Sequence, residues 1–407
     1  MTGVCRRLTL PRSRAARKYS TTILRSTLEI KRIHSYHQPH KEKFHQDLLD
    51  IARRSSIAVR VAFYFPRTAT HTTAVFSPSI PTMSTDPNII TAYETPRPGQ
   101  PVRPANAGTL GKIRWGVKHL PADPTVSFAG KTILVVGCNS GVGFEAVVKY
   151  SALGAEKLIL GVRTAEKGEA TKARVLAITG RDSASISYLT VDLETFASVQ
   201  SFAVALEKEV YSSGLDIALI CAGVVTPAYK LSPLGWDLIL QVNVLSTTAL
   251  ALLIVPILRK TSEERTHATP HLTFVSSNGN DMVQREYFTP FGGSALKTAN
   301  DPKGWRDFRN YTISKLMGLA VMKSIAEATA HGRGGRPGPE IIVNAVCPGM
   351  CKTDLGRDHG WVAKTVMAGV SPFVHRTAEA GGRALVSATA LGPESHGRFW
   401  HNDLLYP

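Results

Sequence analysis

The fold of this chain is decided by the stretch Val135-Val136-Gly137-Cys138-Asn139-Ser140-Gly141-Val142-Gly143. The apolar, β-branched run at 131–136 is typical of a buried parallel strand. After the glycines, apolar side chains recur at helical spacing as far as Tyr150. A glycine-rich turn between a strand and a helix directs unpaired backbone N–H groups and the positive helix end toward one spot, so it stabilises an anion there.

The glycine spacing is Gly-x3-Gly-x-Gly rather than the common G-x-G-x-x-G. Each glycine has the same duty in both patterns: a tight turn, a close backbone approach or close helix packing. We therefore expect the pyrophosphate of a dinucleotide to bind here, although an ordinary turn is the alternative. The residues expected to hold it are Gly137, Asn139, Ser140, Gly141, Val142 and Gly143.

Charge is distributed unevenly along the 407 residues, of which 43% are apolar, enough for a sizeable core. The net charge is +17, and residues 1–82, with 15 Lys/Arg against 4 Asp/Glu, carry +11 of it. The remaining residues carry only +6. A mildly basic domain gives little support to a nucleic-acid partner.

Residues 1–82 form a basic, Ser/Thr-rich extension with no acidic residue before Glu29. That composition is typical of a mitochondrial presequence. Two alternatives stay open: a disordered extension, or upstream sequence joined to a shorter protein that starts at Met83. We expect a cytoplasmic protein, or a mitochondrial one if the extension acts as a presequence.

From 83 to 127 the chain is rich in Pro and Gly, which indicates a linker or an arm lying over a surface, and we place the catalytic domain at 128–407. Strand-like and helix-like segments alternate through this domain, so we predict a single Rossmann-like α/β domain with a doubly wound parallel sheet. The further strands are expected at 156–162, 186–191, 216–220, 271–275 and 341–346, and helices at 165–178, 198–211, 236–258 and 311–330.

Neither cysteines nor apolar runs indicate a different class of protein. The five cysteines are too few and too irregularly spaced for a disulfide framework or a zinc site, and stray histidines such as His267 and His271 lack partner carboxylates. No apolar run reaches the roughly 18 residues of a membrane helix. The nearest run, at 244–258, is interpreted as a buried core helix.

The end of the second predicted strand indicates which dinucleotide binds. Arg163 stands twenty residues past Gly143, where an acid would hold the ribose of NAD and a cation neutralises the 2′-phosphate of NADP. Lys167 could add a second charge, while a solvated helix start is the alternative for both. Asp192 ends the third strand, where it could accept from the adenine amino group or cap a helix.

Tyr311 and Lys315 lie four residues apart in a helix-like run, so they face the same way. Ser277, the second serine of a pair, ends the preceding strand, and Asn243 lies in Gln241-Val242-Asn243. Together with the glycine loop, these residues resemble the short-chain dehydrogenase/reductase family across about 128–406, and most closely its retinol-dehydrogenase-like and fungal branches.

The resemblance implies that Asn243, Ser277, Tyr311 and Lys315 are the catalytic tetrad. Tyr311 would exchange a proton with the substrate oxygen, and Ser277 would donate a hydrogen bond to it. Lys315 would hold the nicotinamide ribose and lower the pKa of Tyr311, and Asn243 would keep a water in the proton path. For Asn243 a buried amide bonded to backbone within a helix is the alternative.

Three positions depart from the family pattern, namely Val136, Cys221 and Cys351. Val136 replaces a threonine and Cys221 an asparagine, so a few stabilising side-chain bonds are lost, whereas Ala222 and Gly223 still allow close cofactor approach. Cys351 follows the Pro348-Gly349 turn, which resembles the turn at the nicotinamide end. Thr353 is then placed to bond the pyrophosphate or the carboxamide.

Two segments are expected to form an apolar substrate pocket. The long gap between Ser277 and Tyr311 holds Phe288, Phe291, Trp305 and Phe308, which indicate one wall or a packed surface excursion. Residues 352–373, with Trp361 and Met367, would form the opposite wall and a mobile lid.

These observations predict an NADP(H)-dependent oxidoreductase that interconverts a hydrophobic ketone or aldehyde and its alcohol, with reduction favoured. By analogy with the fungal branch we expect a role in secondary metabolism. A non-catalytic NADP-binding redox sensor is the alternative. No metal, nucleic acid or transmembrane segment is expected, and a homo-oligomer is compatible with the resemblance.

Overall fold

The run of β-branched and apolar residues before the glycines forms the central strand β1, Thr132–Val136, in the computed structural model of the protein. All five of its residues are buried, because strands on both sides cover its edges and helices cover its faces. The structure describes residues 109–264, 269–332, 338–353, 355 and 374–406. The predicted extension at 1–82 and the first part of the arm, 83–108, lie outside the described residues.

Eight strands form one sheet in the order β3-β2-β1-β4-β5-β6-β7-β8. Every neighbouring pair is parallel except β7 and β8, which form an antiparallel hairpin. The predicted doubly wound parallel sheet is confirmed. The strands after β1 are β2 Lys157–Val162, β3 Ile186–Thr190, β4 Ile217–Ile220, β5 His271–Val275, β6 Ile342–Cys347, β7 Phe399–His401 and β8 Leu404–Tyr406.

Helices pack against both faces of the sheet. On one face α2 packs against α3 and α8, and on the other α5 packs against α4 and α7. Their bounds are α1 Thr109–Lys118, α2 Gly141–Ala152, α3 Ala165–Thr179, α4 Phe196–Glu209, α5 Leu238–Glu264, α6 Ala295–Ala299, α7 Asp307–Ala328 and α8 Ala378–Ala388.

Within helix α5 the segment Gln241–Ser246 has π-helical hydrogen bonding. Of the described residues, only this helix is long and apolar enough to cross a membrane by length and composition, and 94% of its most apolar window is buried inside the protein. It is therefore the buried core helix expected around 244–258. The π-helical turn places Asn243 in the middle of this buried segment.

Five of the labelled elements were not predicted from the sequence: α1, α6, α8 and the two three-residue strands of the terminal hairpin. The hairpin turns at Asn402 and Asp403, whose φ angles are 52° and 58°. Two successive left-handed residues make the tight turn that matches the twist of a two-strand ribbon. The arm leads directly into the core, because Phe128, the first residue after it, is buried and its ring packs edge-on against Tyr150 at 5.0 Å.

Candidate active site

The predicted glycine loop joins the carboxyl end of β1 to the start of α2. Gly137 has a φ of +86°, and a Cβ there would lie 2.6 Å from the backbone N of Ala222, which follows β4. A Cβ on Gly143 would lie 2.3 Å from the carbonyl oxygen of Gly137. Side chains at these positions would force the two segments apart, so the glycines allow the close approach at the switch point between β1 and β4.

No side chain of the described residues caps the N-terminus of α2. Ser140 occupies the N-cap position, yet among the described residues its side chain makes no cap hydrogen bond, and the first turn holds no acidic residue. By contrast, Thr164, Thr195 and Thr377 each cap their helices with a side-chain oxygen. The first amide groups of α2, from Gly141 on, therefore fit an anionic group better than those of the capped helices do.

Three cations occupy the side of this loop where β2 ends. The Arg163 side chain is 42% exposed, with Nη1 3.7 Å from Glu194 Oε1, and Lys167 lies in the first turn of α3. Arg174 was missed in the sequence. Its Nη1 donates to the carbonyl oxygen of Asn139 at 3.2 Å, and its guanidinium carbon lies 3.9 Å from the Phe144 ring centroid. Its position seven residues after Lys167, on the same helix face, was the available signal.

Asp192 lies at the carboxyl end of β3 but does not cap the next helix, because Thr195 does. One carboxylate oxygen, Oδ1, accepts from the backbone N–H of Glu194 at 3.0 Å. The Asp192 backbone N–H donates to the hydroxyl of Ser198 at 2.8 Å. The turn after β3 is thus fixed by local hydrogen bonds, with Asp192 at its edge.

Asn243 fixes the segment that follows β4. Its Oδ1 accepts from the Val224 N–H at 2.8 Å, and its Nδ2 donates to the Val224 carbonyl at 3.0 Å and to Ser314 Oγ at 3.1 Å. As in the alternative considered above, the buried amide of a helical residue bonds to backbone, and that backbone belongs to Val224 in the segment after β4. A Cβ on Gly223 would lie 3.3 Å from Asn243 Oδ1 and 3.6 Å from Lys315 Nζ, so the residues meet around one small space.

Tyr311, Ser277 and Lys315 are brought together at the carboxyl end of β5. The Ser277 hydroxyl accepts from the Gly279 N–H at 3.1 Å and lies near enough to the Tyr311 phenol to lower its pKa. Lys315 Nζ donates to the carbonyl oxygen of Val275 at 2.9 Å and lies 5.7 Å from the Tyr311 ring centroid. All four members of the predicted tetrad therefore line one region, between α5, α7 and the end of β5.

The pKa of Tyr311 differs from the expectation. Burial raises the pKa of this phenol, the Cys347 and Cys221 thiols raise it further, and the Ser277 hydrogen bond only partly opposes them. The net pKa of Tyr311 is thus raised rather than lowered, and Lys315 is not among the groups that shift it. Burial also lowers the pKa of Lys315, and its ammonium is directed at Val275.

A cavity of about 20 Å³ lies behind Lys315. Its walls include Asn243, Thr247, Ser276 and Ser314, and the Ser276 hydroxyl, itself buried, has no hydrogen-bond partner within the described part of the chain. The volume suits a single water molecule, and the walls supply the polar groups that such a water needs. The cavity thus connects Lys315 to Asn243.

The loop after β6 closes over the start of α2. The side chain of Thr353 lies against Gly141, where a Cβ would be 3.0 Å from its Cγ2. The structure therefore brings Thr353 to the predicted pyrophosphate cradle. The proposed lid at 352–373, with Trp361 and Met367, lies outside the described residues except for Lys352, Thr353 and Leu355.

The aromatic residues between Ser277 and Tyr311 have different environments. Phe288 is buried, and the Trp305 ring meets that of Tyr229 edge-on at 6.5 Å, so both pack into the protein. Phe308, on the first turn of α7, is 54% exposed. The segment between Ser277 and Tyr311 therefore includes a part that packs into the protein, as in the alternative of a packed surface excursion. Its exposed aromatic residue, Phe308, lies one helical turn before Tyr311.

Thiols surround the site. The pKa of Cys221 is raised to about 11 and that of Cys351 to about 12, both mainly by burial. Thiols with raised pKa are weak nucleophiles. Cys221 therefore serves as a small apolar group beside Gly143, where a Cβ would lie 3.2 Å from its sulfur. The described residues contain no cluster of His, Cys, Asp or Glu that could hold a metal ion.

Comparison with known proteins gives consistent matches. A family model described as short chain dehydrogenase matches residues 131–280. The short-chain dehydrogenase/reductase ffsI of Aspergillus flavipes is 41% identical over 297 residues, which cover 72% of this chain and 84% of that protein. The short-chain dehydrogenase/reductase phmF of Phaeosphaeria nodorum is 43% identical over 293 residues, covering 72% and 83%.

A solved structure is also similar. It is a short chain dehydrogenase of Shigella flexneri complexed with NADP, with 21% identity and a TM-score of 0.48, covering 69% of this chain and 99% of that one. The family model and both fungal relatives carry the same family description.

Proposed function

The chain belongs to the short-chain dehydrogenase/reductase family, and from that premise we propose that it reduces a hydrophobic ketone or aldehyde to the alcohol with NADPH. The observation that carries the proposal is the meeting of Ser277, Tyr311, Lys315 and Asn243 beside the uncapped start of α2. A proton donor, an oxyanion donor and an anion site then share the carboxyl edge of the sheet.

The choice of NADP(H) is supported by charge at the loop. The free amides of α2 would hold the pyrophosphate, and Arg163, Lys167 and Arg174 would neutralise the 2′-phosphate. NADPH supplies the hydride when it is bound. Lys315, whose ammonium lies beside Gly223, would hold the cofactor ribose.

The raised pKa of Tyr311 fits the direction of reduction. A phenol whose pKa lies above its ordinary value stays protonated at neutral pH, so it is available as a proton donor. An alkoxide is a far stronger base than a phenolate, so proton transfer to the reduced oxygen is still downhill. Ser277 would donate to the same oxygen, and the cavity between Lys315 and Asn243 would let the proton be replaced from solvent.

A hydrophobic substrate is supported by the exposed apolar side chains around the site. Met282 follows Ser277, Phe308 precedes Tyr311, and Met350 flanks the turn that leads to Thr353, and these three are 41%, 54% and 42% exposed. Large apolar side chains exposed on the segments that carry the site would suit an apolar ligand better than a sugar.

The test follows NADPH oxidation with a panel of hydrophobic ketones and aldehydes. Tyr311→Phe should abolish turnover of any active carbonyl and leave NADPH binding intact, because it removes only the hydroxyl that donates the proton. Tyr211→Phe is the matched control, since Tyr211 is 74% exposed at the end of α4. NADPH binding without turnover of any carbonyl would favour the redox-sensing alternative, and full activity of Tyr311→Phe would refute the mechanism.

A further inference from the structure

Arg376 is a buried arginine that joins three separate parts of the chain. It is 3% exposed. Nε donates to the carbonyl oxygen of Gly116 at 2.7 Å, Nη2 to that of His119 at 3.1 Å, and Nη1 to that of Pro348 at 3.3 Å. Nη2 also donates to Asn402 Oδ1 in the terminal hairpin. A planar guanidinium with several donors is suited to bridge acceptors on separate segments.

The first of these parts is the N-terminal arm. Gly116 and His119 lie in and just after the last turn of α1, where carbonyl groups lack helical partners and a cation is favoured. The arm is held further along as well, because Ala122 N–H donates to Asp403 Oδ2 at 2.9 Å and Asp123 pairs with Lys149 of α2. The described part of the arm is therefore attached to the catalytic domain at several points.

The second part is the loop that leads to Thr353. In addition to the side-chain bond to Pro348, the backbone of Arg376 makes two hydrogen bonds to this loop. The Arg376 N–H donates to the Met350 carbonyl oxygen at 2.7 Å, and the Arg376 carbonyl oxygen accepts from the Lys352 N–H at 2.9 Å. A Cβ on Gly349 would lie 2.8 Å from Arg376 Nη1, so the loop lies directly against the guanidinium. The described part of this loop includes Thr353, which packs on Gly141 of the cradle.

We propose that Arg376 is a positioning residue through which helix α1 holds the 348–353 loop against the cofactor cradle. The N-terminal arm is then a working part of the cofactor site, although it carries none of the residues that we place in that site. The inference rests on the proposed NADP(H) binding for its readout. If the carbonyl oxygens of the arm move away from the guanidinium, the buried charge of Arg376 loses hydrogen-bond acceptors. The 348–353 loop must then shift to supply others.

Two glycines of the same helix allow a controlled test in the full chain. A Cβ on Gly116 would lie 3.2 Å from Arg376 Nη2, tighter than ordinary contact, whereas Gly111 is exposed. Gly116→Ala and Gly111→Ala both favour the helix by the same chemistry. Only the first presses on a guanidinium that four acceptors hold in place.

The measurement is the Kd of NADPH, and separately of NADH, by titration of protein fluorescence, with the Tm of each variant. Gly116→Ala should raise the cofactor Kd by about fivefold or more, within the usual range for coupled sites. Gly111→Ala should leave it within about twofold, as for a surface substitution. Arg376→Lys, which keeps the charge but loses the fork, should raise the Kd further.

A purely structural arginine would give the opposite pattern. Arg376→Lys would lower Tm and leave the Kd unchanged, and the two glycine variants would bind cofactor alike; either result overturns the inference. If Arg376→Lys does not fold, the glycine pair still decides. If the wild-type protein binds only NADH, the proposed cofactor is wrong, but the Kd of NADH in the same variants still tests the role of the arm. If the wild-type protein binds neither cofactor, both proposals are refuted.

Discussion

Two buried asparagines make it possible to separate catalysis from stability. Asn243 makes three hydrogen bonds, at 2.8, 3.0 and 3.1 Å, to Val224 and Ser314. Asn344 in β6 also makes three: it accepts from Thr273 Oγ1 at 2.8 Å and donates to the Ala388 carbonyl at 2.9 Å and to a serine hydroxyl at 3.1 Å. The two side chains are 5% and 0% exposed.

Truncation of either residue to Ala should cost a similar amount of stability. Three hydrogen bonds at about 1 kcal/mol each give about 3 kcal/mol. Out of a typical ~5–15 kcal/mol, that loss leaves both variants folded at 25 °C. Only Asn243 faces the cavity beside Lys315. Asn243→Ala should therefore lower kcat by about 10²-fold or more through loss of the proton path, and Asn344→Ala should not.

The assay pairs urea unfolding with steady-state NADPH oxidation at a temperature where both variants are folded. Equal destabilisation with activity lost only in Asn243→Ala supports the reasoning. Wild-type kcat in Asn243→Ala, or an equal loss of kcat in Asn344→Ala, would refute it, because the amide would then act only as a packing group.

Two further predictions concern charge. Arg163→Ala and Arg174→Gln should each raise the KM for NADPH by about tenfold with little change for NADH, because each removes a cation from the 2′-phosphate; Lys260→Ala, on α5, is the control. A parallel loss for both cofactors would show that the arginines act through the loop instead. Burial raises the pKa of the Asp237 carboxyl from 3.8 to about 6, so between pH 6 and pH 4 this carboxyl is protonated in the folded protein and ionised in the unfolded chain. The contribution of Asp237 to the free energy of unfolding should therefore rise as the pH falls from 7 to 4, by up to about 3 kcal/mol. In Asp237→Asn that rise should be absent, as measured by the difference between the unfolding free energies of the two proteins at each pH. Identical pH dependence of the two proteins would contradict the burial argument.

The central strands were predictable because their residues carry the signal locally, whereas their order in the sheet was not predicted. Short apolar runs such as 271–275 suit strands that are buried on both faces, as in a parallel sheet, and the predicted and observed bounds of β5 agree. Helix α8 was missed because Ala and Gly dominate it, and the glycines are required by packing: a Cβ on Gly382 would lie 2.9 Å from Glu145 Cβ. The three-residue strands β7 and β8 are too short for any period to show.

The residue types and their spacing predicted which residues form the site, but not their electrostatics or their long-range contacts. The Tyr311 and Lys315 pair lies on one helix, so its geometry follows from sequence. The direction of the Tyr311 pKa does not, because it depends on burial and on thiols that come from β4 and β6. Arg174 and Arg376 contact backbone carbonyls far along the chain, and no local pattern identifies such partners.

A crystal structure of the protein with NADPH would show whether the tetrad faces the cofactor. We expect the nicotinamide beside the Tyr311 hydroxyl, the ribose on Lys315, and the 2′-phosphate among Arg163, Lys167 and Arg174. A nicotinamide bound away from Tyr311, or a 2′-phosphate remote from all three cations, would contradict it.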